Sequence, residues 1–117
     1  MIRISLVERV LKLRPHHLSR LFHPEESGYC ENQGLLKYPS YAVRFAAKEA
    51  FLKALGRRVP WNQVWVRSTH GRPTLQLSDA VRARFPGIRP LVSLSHDGDY
   101  ALAFVILISA EASPIEA

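Results

Sequence analysis

One cysteine, one methionine and no long apolar run occur in 117 residues. Each shortage removes a class of explanation. The single thiol, Cys30, leaves no intrachain disulfide and no cysteine-based zinc site. A reducing, cytoplasmic setting is the expectation. The longest apolar stretch, "YALAFVILI" from Tyr100 to Ile108, is far too short to cross a bilayer as a helix. No charged segment followed by an apolar one opens the chain, so no signal peptide is expected. Acids are scarce as well. Asp and Glu total 10 against 16 Lys and Arg, for a net charge of +6. Such a surface attracts polyanions: nucleic acid, a phosphorylated cofactor, an acidic protein or an anionic membrane. Nucleic acid is disfavoured, because Trp61, Trp65 and the tyrosines form no stacking series among the basic residues. A Walker loop, a dinucleotide fingerprint and an HExxH motif are all absent.

The elements that are present read as helices first and strands later. Ile2 to Val7 suggests a short strand leading into a helix, which Pro15 stops. Leu18, Leu21 and Phe22 fall at helical spacing. Pro24, Glu25 and Glu26 suit a first helical turn, where proline lacks only a free donor and acids meet the helix dipole. "ENQGLLKYPS" reads as a loop. A long alanine-rich helix is expected from about Ser40, its N-cap, to Leu55, with Gly56 ending it. After Pro60 the pattern changes to period two. "QVWVRS" and "TLQLS" flank "THGRP" as one hairpin, and Ser78 to Phe85 reads as a short helix. "LVSLSH" and "DYALAFVILI" flank Asp97–Gly98 or Gly98–Asp99 as a second hairpin. The expectation is α+β in one domain, residues 1–117, the two hairpins making a mostly antiparallel sheet packed against the long helix. The tail "SAEASPIEA" is expected to be disordered.

The long helix carries the chemistry. Residues four apart share a helix face, so Phe45, Glu49 and Lys53 line up. A surface ion pair from Glu49 to Lys53 would account for both, at a few tenths of a kcal/mol. The sharper reading gives Glu49 a divalent cation and gives Lys53 and Arg44 phosphate. Magnesium takes only one or two protein carboxylates, with phosphate oxygens and water completing its shell. Gly71 in "HGRP" allows close approach of a ligand, and His96 ends a strand beside Asp97. Each of these also suits an ordinary turn.

Taken in order, "SLVERV", "FHPEESGYC", "RFAAKEAFLKALG", "HGRP" and "VSLSHDGDYALAFVIL" resemble the holo-acyl carrier protein synthase family of 4′-phosphopantetheinyl transferases. The resemblance covers nearly the whole chain. It implies the fold of that family and transfer of 4′-phosphopantetheine from coenzyme A to a serine of an apo acyl carrier protein, releasing adenosine 3′,5′-bisphosphate. It implies Mg²⁺ on Glu49, with Glu49 helping to activate the attacking serine and Lys53 sharing in catalysis. Arg44 and Lys53 would contact phosphates, Gly71, Arg72 and Pro73 would lie along the nucleotide, and Ser95 and His96 would close the other side. Lys48 is a weaker phosphate candidate. It implies a homotrimer with active sites between subunits. The partner is an acidic carrier protein docked by Arg9, Leu13 and Arg14, with His16, Arg20 and Leu21 nearby. Neither nucleic acid nor a membrane is implied.

Two departures from the family pattern stand out. The family opens with "GxDxVxxxR", whose aspartate is a second metal ligand; aligned on "ISLVERV", that place falls on Arg3, and no acid precedes Glu8. The glycine-rich loop after the long helix is replaced by "GRRVPW". Both changes add positive charge, and guanidinium groups pair well with phosphate. Arg3, Arg57 and Arg58 would then replace part of the metal's charge and weaken magnesium dependence. A non-catalytic homologue that binds coenzyme A or a carrier protein is the alternative.

Overall fold

The computed structural model describes residues 1–109. The tail lies outside these residues except for Ser109. The described chain is α+β. Its longest strands are β4 (Ile88–Asp97) and β5 (Tyr100–Ser109), antiparallel in register from Ile88 opposite Ser109 to Asp97 opposite Tyr100. Gly98 and Asp99 form the two-residue turn, with Gly98 at φ 55°, the left-handed backbone such turns need. β1 is only Ile2–Arg3 and adds to the free edge of β5, so the sheet runs β1-β5-β4. The strand suggested for Ile2 to Val7 therefore stops early, because α1 starts at Ile4 and runs to Leu13.

Short helices α2 (His17–Leu21) and α3 (Pro24–Glu31) follow. α3 is closed by a capping box. Nδ1 of His23 accepts from the Glu25 N–H at 3.1 Å, and the Glu26 carboxylate accepts from the His23 N–H at 3.1 Å. The segment read as a loop contains a 3-10 turn (Gly34–Leu36) and the first residues of α4 (Lys37–Leu55). α4 therefore begins three residues before Ser40, which caps nothing. Pro39 is tolerated there because the first-turn N–H groups of a helix have no internal partner. Gly56 ends α4 at φ 67°, as expected.

β2 (Val64–Thr69) and β3 (Arg72–Leu77) pair through a His70–Gly71 turn, both residues at positive φ. α5 (Asp79–Arg84) is capped by Ser78, whose hydroxyl accepts from the Val81 N–H at 3.2 Å. The two hairpins do not join; they form separate sheets. Both facing strands carry a proline, Pro73 in β3 and Pro90 in β4, and proline has no N–H to give to a joining ladder.

α4 unites the two halves. Its Tyr41, Ala42 and Val43 pack with Ile4, Val7, Phe22 and Ala101 in one cluster. Its Ala47 and Phe51 pack with Val64, Val66, Leu75 and Val81 in the other. Phe51 is fully buried, a burial that contributes roughly 1.5–3 kcal/mol. The opposite face of β4–β5 is bare. Leu91, Leu102, Phe104 and Ile106 alternate outward, with Phe104 67% and Ile106 60% exposed. Among the described residues, no helix is long and apolar enough to cross a membrane.

Candidate active site

The site is built on Arg44. Its side chain leaves the buried face of α4, where it is only 3% exposed. Nη1 donates to the Ser40 carbonyl at 3.1 Å and Nη2 to the Ser68 hydroxyl at 3.1 Å. The guanidinium stacks 4.3 Å from the Tyr29 ring centre. Nε is buried with no partner, the single such side-chain atom among the described residues. No carboxylate pairs with Arg44 among them either. A buried cation without a counter-charge is costly, commonly several kcal/mol. An anion in reach of Nε would satisfy both the charge and the stranded N–H.

A groove of about 250 Å³ opens beside it, lined by Arg44, Gly71, Pro73 and His96 together with Tyr29 and Ser68. Four sequence-predicted residues from three separate segments thus converge. Gly71 stands at φ 77° with open space where a Cβ would lie, so a ligand meets backbone there. Arg72 and Ser95 are exposed neighbours of these positions outside the groove lining. Tyr29, Ser68, Gln33 and Leu36 also line the groove, and none of them stands out in the sequence. Ser68, just before "THGRP", was the nearest to a readable signal.

Side chains of α3 hold this arrangement together. Glu25 receives Nε and Nη2 of Arg67 at 2.9 Å each, which keeps its carboxyl below the usual carboxylate range. His23 stacks on Trp65 at 3.9 Å between ring centres. Fully buried Glu26 accepts the Val66 N–H at 2.9 Å and pairs with Lys48 at 2.5 Å. Lys48 also donates to the carbonyls of Leu21 at 2.6 Å and Trp61 at 3.0 Å. All three of its protons are therefore used. Lys48, the weaker phosphate candidate, is instead a buried tether: no proton or exposure is left for a ligand. Cys30 lies buried below, where burial pushes its thiol up to about 12 and leaves it inert.

Glu49 and Lys53 do not reach the groove. At 100° per residue, Glu49 lies about 140° around α4 from Arg44 and Lys53 about 180°. Lys53 is exposed and Glu49 partly so, and the ion pair open to them is not formed among the described residues. No group of three or more metal-ligating side chains occurs among those residues. Glu49 alone fits magnesium only when phosphate oxygens supply further ligands.

The opening pattern admits two registers on α1. Its valine, two residues after the aspartate, belongs in the core. Counted from Arg3, that place is exposed Ser5; counted from Ser5, it is Val7, 6% exposed. The valine fits better counted from Ser5, but the arginine six residues after the aspartate is Arg9 counted from Arg3 and Leu11 counted from Ser5, so the place stays with Arg3 or Ser5. The lack of an acid there stands. Arg3, Arg57 and Arg58 are all exposed and line no part of the groove.

The sequence matches the 4′-phosphopantetheinyl transferase superfamily across residues 3–105. The chain belongs to this family. A holo-[acyl-carrier-protein] synthase of Thermus thermophilus is 39% identical over 113 residues, covering 92% of this chain and 87% of that protein. One from Syntrophotalea carbinolica is 42% identical over 118 residues, covering 91% and 89%. The structure of Helicobacter pylori holo-[acyl-carrier-protein] synthase in complex with coenzyme A superposes with a TM-score of 0.78 at 26% identity, covering 92% of this chain and 95% of that one. The phosphopantetheinyl transferase fold anticipated from the motifs is the fold observed.

Proposed function

We propose that the chain transfers 4′-phosphopantetheine from coenzyme A to a serine of an apo acyl carrier protein, leaving adenosine 3′,5′-bisphosphate. The observation that carries this reading is the Arg44 groove: a buried, unpaired guanidinium facing a cleft bounded by Gly71, Pro73 and His96. Coenzyme A brings the phosphates such a cation lacks. The groove's volume of about 250 Å³ falls below the roughly 300–1,000 Å³ usual for ligand pockets. One chain thus supplies part of a site for so large a molecule.

A neighbouring subunit supplies the rest. Glu49 and Lys53 face away from their own chain's groove, and the bare apolar face of β4–β5 offers a surface to bury between subunits. We read the assembly as a homotrimer. Arg44 and Lys53 hold phosphate oxygens, Gly71, Arg72 and Pro73 follow the nucleotide, and Ser95 and His96 close it. Glu49 would hold Mg²⁺ jointly with those oxygens; when bound, the ion draws charge from the pyrophosphate. The carrier serine hydroxyl gives its proton to the Glu49 carboxylate, its oxygen bonds to phosphorus as the bond to the bisphosphate oxygen breaks, and the bisphosphate keeps the electron pair. The protein's contribution is placement and charge stabilisation.

The carrier would dock on α1. Leu6, Arg9 and Leu13 form one exposed stripe, Leu6 50% and Leu13 69% exposed, with Arg14, His16 and Arg20 following. An apolar cavity of about 120 Å³ lined by Leu6, Val10, Leu21 and Phe45 lies beside that stripe. Basic charge around it suits an acidic partner and speeds encounter. We take residues 1–117 as one domain, because Leu94 packs against both core clusters. A cytoplasmic setting suits its one free, buried thiol.

A second reading, a non-catalytic homologue that binds coenzyme A or a carrier protein, is favoured by one observation. Neither Arg3 nor Ser5 provides the opening segment's acid. Incubation with apo carrier protein, coenzyme A and Mg²⁺, read by mass, separates the two. A gain of one phosphopantetheine supports transfer. Binding of coenzyme A with no gain under any divalent metal favours the second reading.

A further inference from the structure

α1 has no cap of its own. Arg3, at its N-cap position, makes no side-chain hydrogen bond to the helix, and no acid sits in the first turn. The missing cap comes from the far end of the chain. The Asp99 carbonyl accepts the Ile4 N–H at 2.8 Å, Oδ1 of Asp99 accepts the Ser5 N–H at 2.8 Å, and Oδ2 accepts the Ser5 hydroxyl at 2.5 Å. Two of the four free donors of α1 are thereby satisfied, and a negative charge meets the positive end of the helix dipole.

Asp99 sits in the β4–β5 turn, three residues after His96, which lines the groove. Leu6, the first residue of the exposed stripe on α1, directly follows Ser5. The turn thus bonds directly to the start of the docking helix and is joined through β4 to His96 in the groove. An ordinary hairpin turn needs no such reach. Its acid could point to solvent, and a helix whose only task was packing could keep a serine or aspartate cap of its own.

We propose that Asp99 is a positioning residue that fixes the carrier-docking helix α1 relative to the coenzyme A groove. The proposal rests on the function given above. Without the clamp the first turn of α1 frays, and docking must first re-form it. The carrier serine would then approach the groove from a less defined position.

The test compares the full chain with Asp99→Ala, Asp99→Asn and Ser5→Ala. Amide hydrogen exchange reads the clamp itself, and protection of Ser5 should fall about fivefold in Asp99→Ala, as for loss of a helix cap, while Ile4 keeps the backbone carbonyl of residue 99. Titration with apo acyl carrier protein reads the consequence, a dissociation constant raised about fivefold, while coenzyme A affinity holds. Asp99→Asn keeps an oxygen for the Ser5 N–H and should recover part of both effects, and Ser5→Ala should show a smaller loss. Unchanged exchange in Asp99→Ala overturns the clamp. Exchange that changes while carrier affinity does not overturns the positioning role. So does a parallel loss of carrier and coenzyme A affinity that Asp99→Asn fails to relieve. None of these readings needs turnover. A wild-type chain that binds carrier but transfers nothing refutes the transferase reading and leaves this test intact.

Discussion

Replacing Lys48 by methionine removes the positive member of a fully buried pair and leaves Glu26 without its counter-charge. The carboxylate keeps the N–H groups of Val66 and His23, while the Leu21 and Trp61 carbonyls lose a donor. Breaking a buried pair from one side costs about 3–5 kcal/mol, a large share of the roughly 5–15 kcal/mol that holds a domain together. At about 4 °C per kcal/mol for a chain of this size, the midpoint should fall by roughly 15 °C. Thermal and urea unfolding followed by circular dichroism measures it. The double variant Glu26→Gln/Lys48→Met is the control. Glutamine still accepts the Val66 N–H, no charge is stranded, and the double change should cost less than the sum of the two single ones. Glu26→Gln alone strands the ammonium instead. Burial already pulls Lys48 below its usual range, with Glu26 opposing. Without Glu26 the unfolded chain holds that proton more tightly than the folded one. Stability of this variant should therefore rise with pH up to the ordinary lysine value near 10.4. A cost for Lys48→Met below about 1 kcal/mol, the level of an exposed pair, or strict additivity in the double variant, would refute the reasoning.

Other expectations follow from the same geometry. Arg44→Ala should weaken coenzyme A binding about tenfold or more by calorimetry, since hydrogen bonds to charged groups contribute about 1.5–3 kcal/mol each. Glu49→Gln should lower Mg²⁺-dependent transfer but leave the melting point unchanged, because among the described residues Glu49 makes no ion pair; transfer unaffected by it removes Glu49 from the metal. Phe104→Asp on the bare sheet face should shift the assembly to monomer in sedimentation, and an unaltered mass would exclude that face from the interface. Arg67 holds the carboxyl of Glu25 below the usual range, Tyr41 that of Glu31 and Ser5 that of Asp99. The stability these groups add is complete above the unfolded carboxylate value near 4 and is lost as pH falls through their lower folded values, which acid titration of the melting point measures.

The long helix shows what was legible and what was not. Its alanine-rich interior and the Gly56 stop are local signals, and they placed its end correctly. Its start lies three residues before the N-cap expected at Ser40, because a serine is a local cap signal wherever it stands and Pro39 is harmless in a first turn, where the N–H has no partner anyway. The hairpins were legible from turn residues and alternation. Their division into two sheets was not, since strand pairing across the chain leaves no local mark.

The sequence by itself determined the element types, the two tight turns, the basic charge and the family motifs, because caps, turn geometry and periodicity act over a few neighbouring residues. Only the tertiary structure decided the fates of Arg44, Lys48, Glu49 and Lys53. Spacing along a helix fixes the angle between side chains. What each side chain meets is set by the elements packed around it. Lys48 met Glu26 and two carbonyls and became a tether. Arg44 met a serine, a tyrosine ring and an open groove, and kept a buried charge with an N–H to spare.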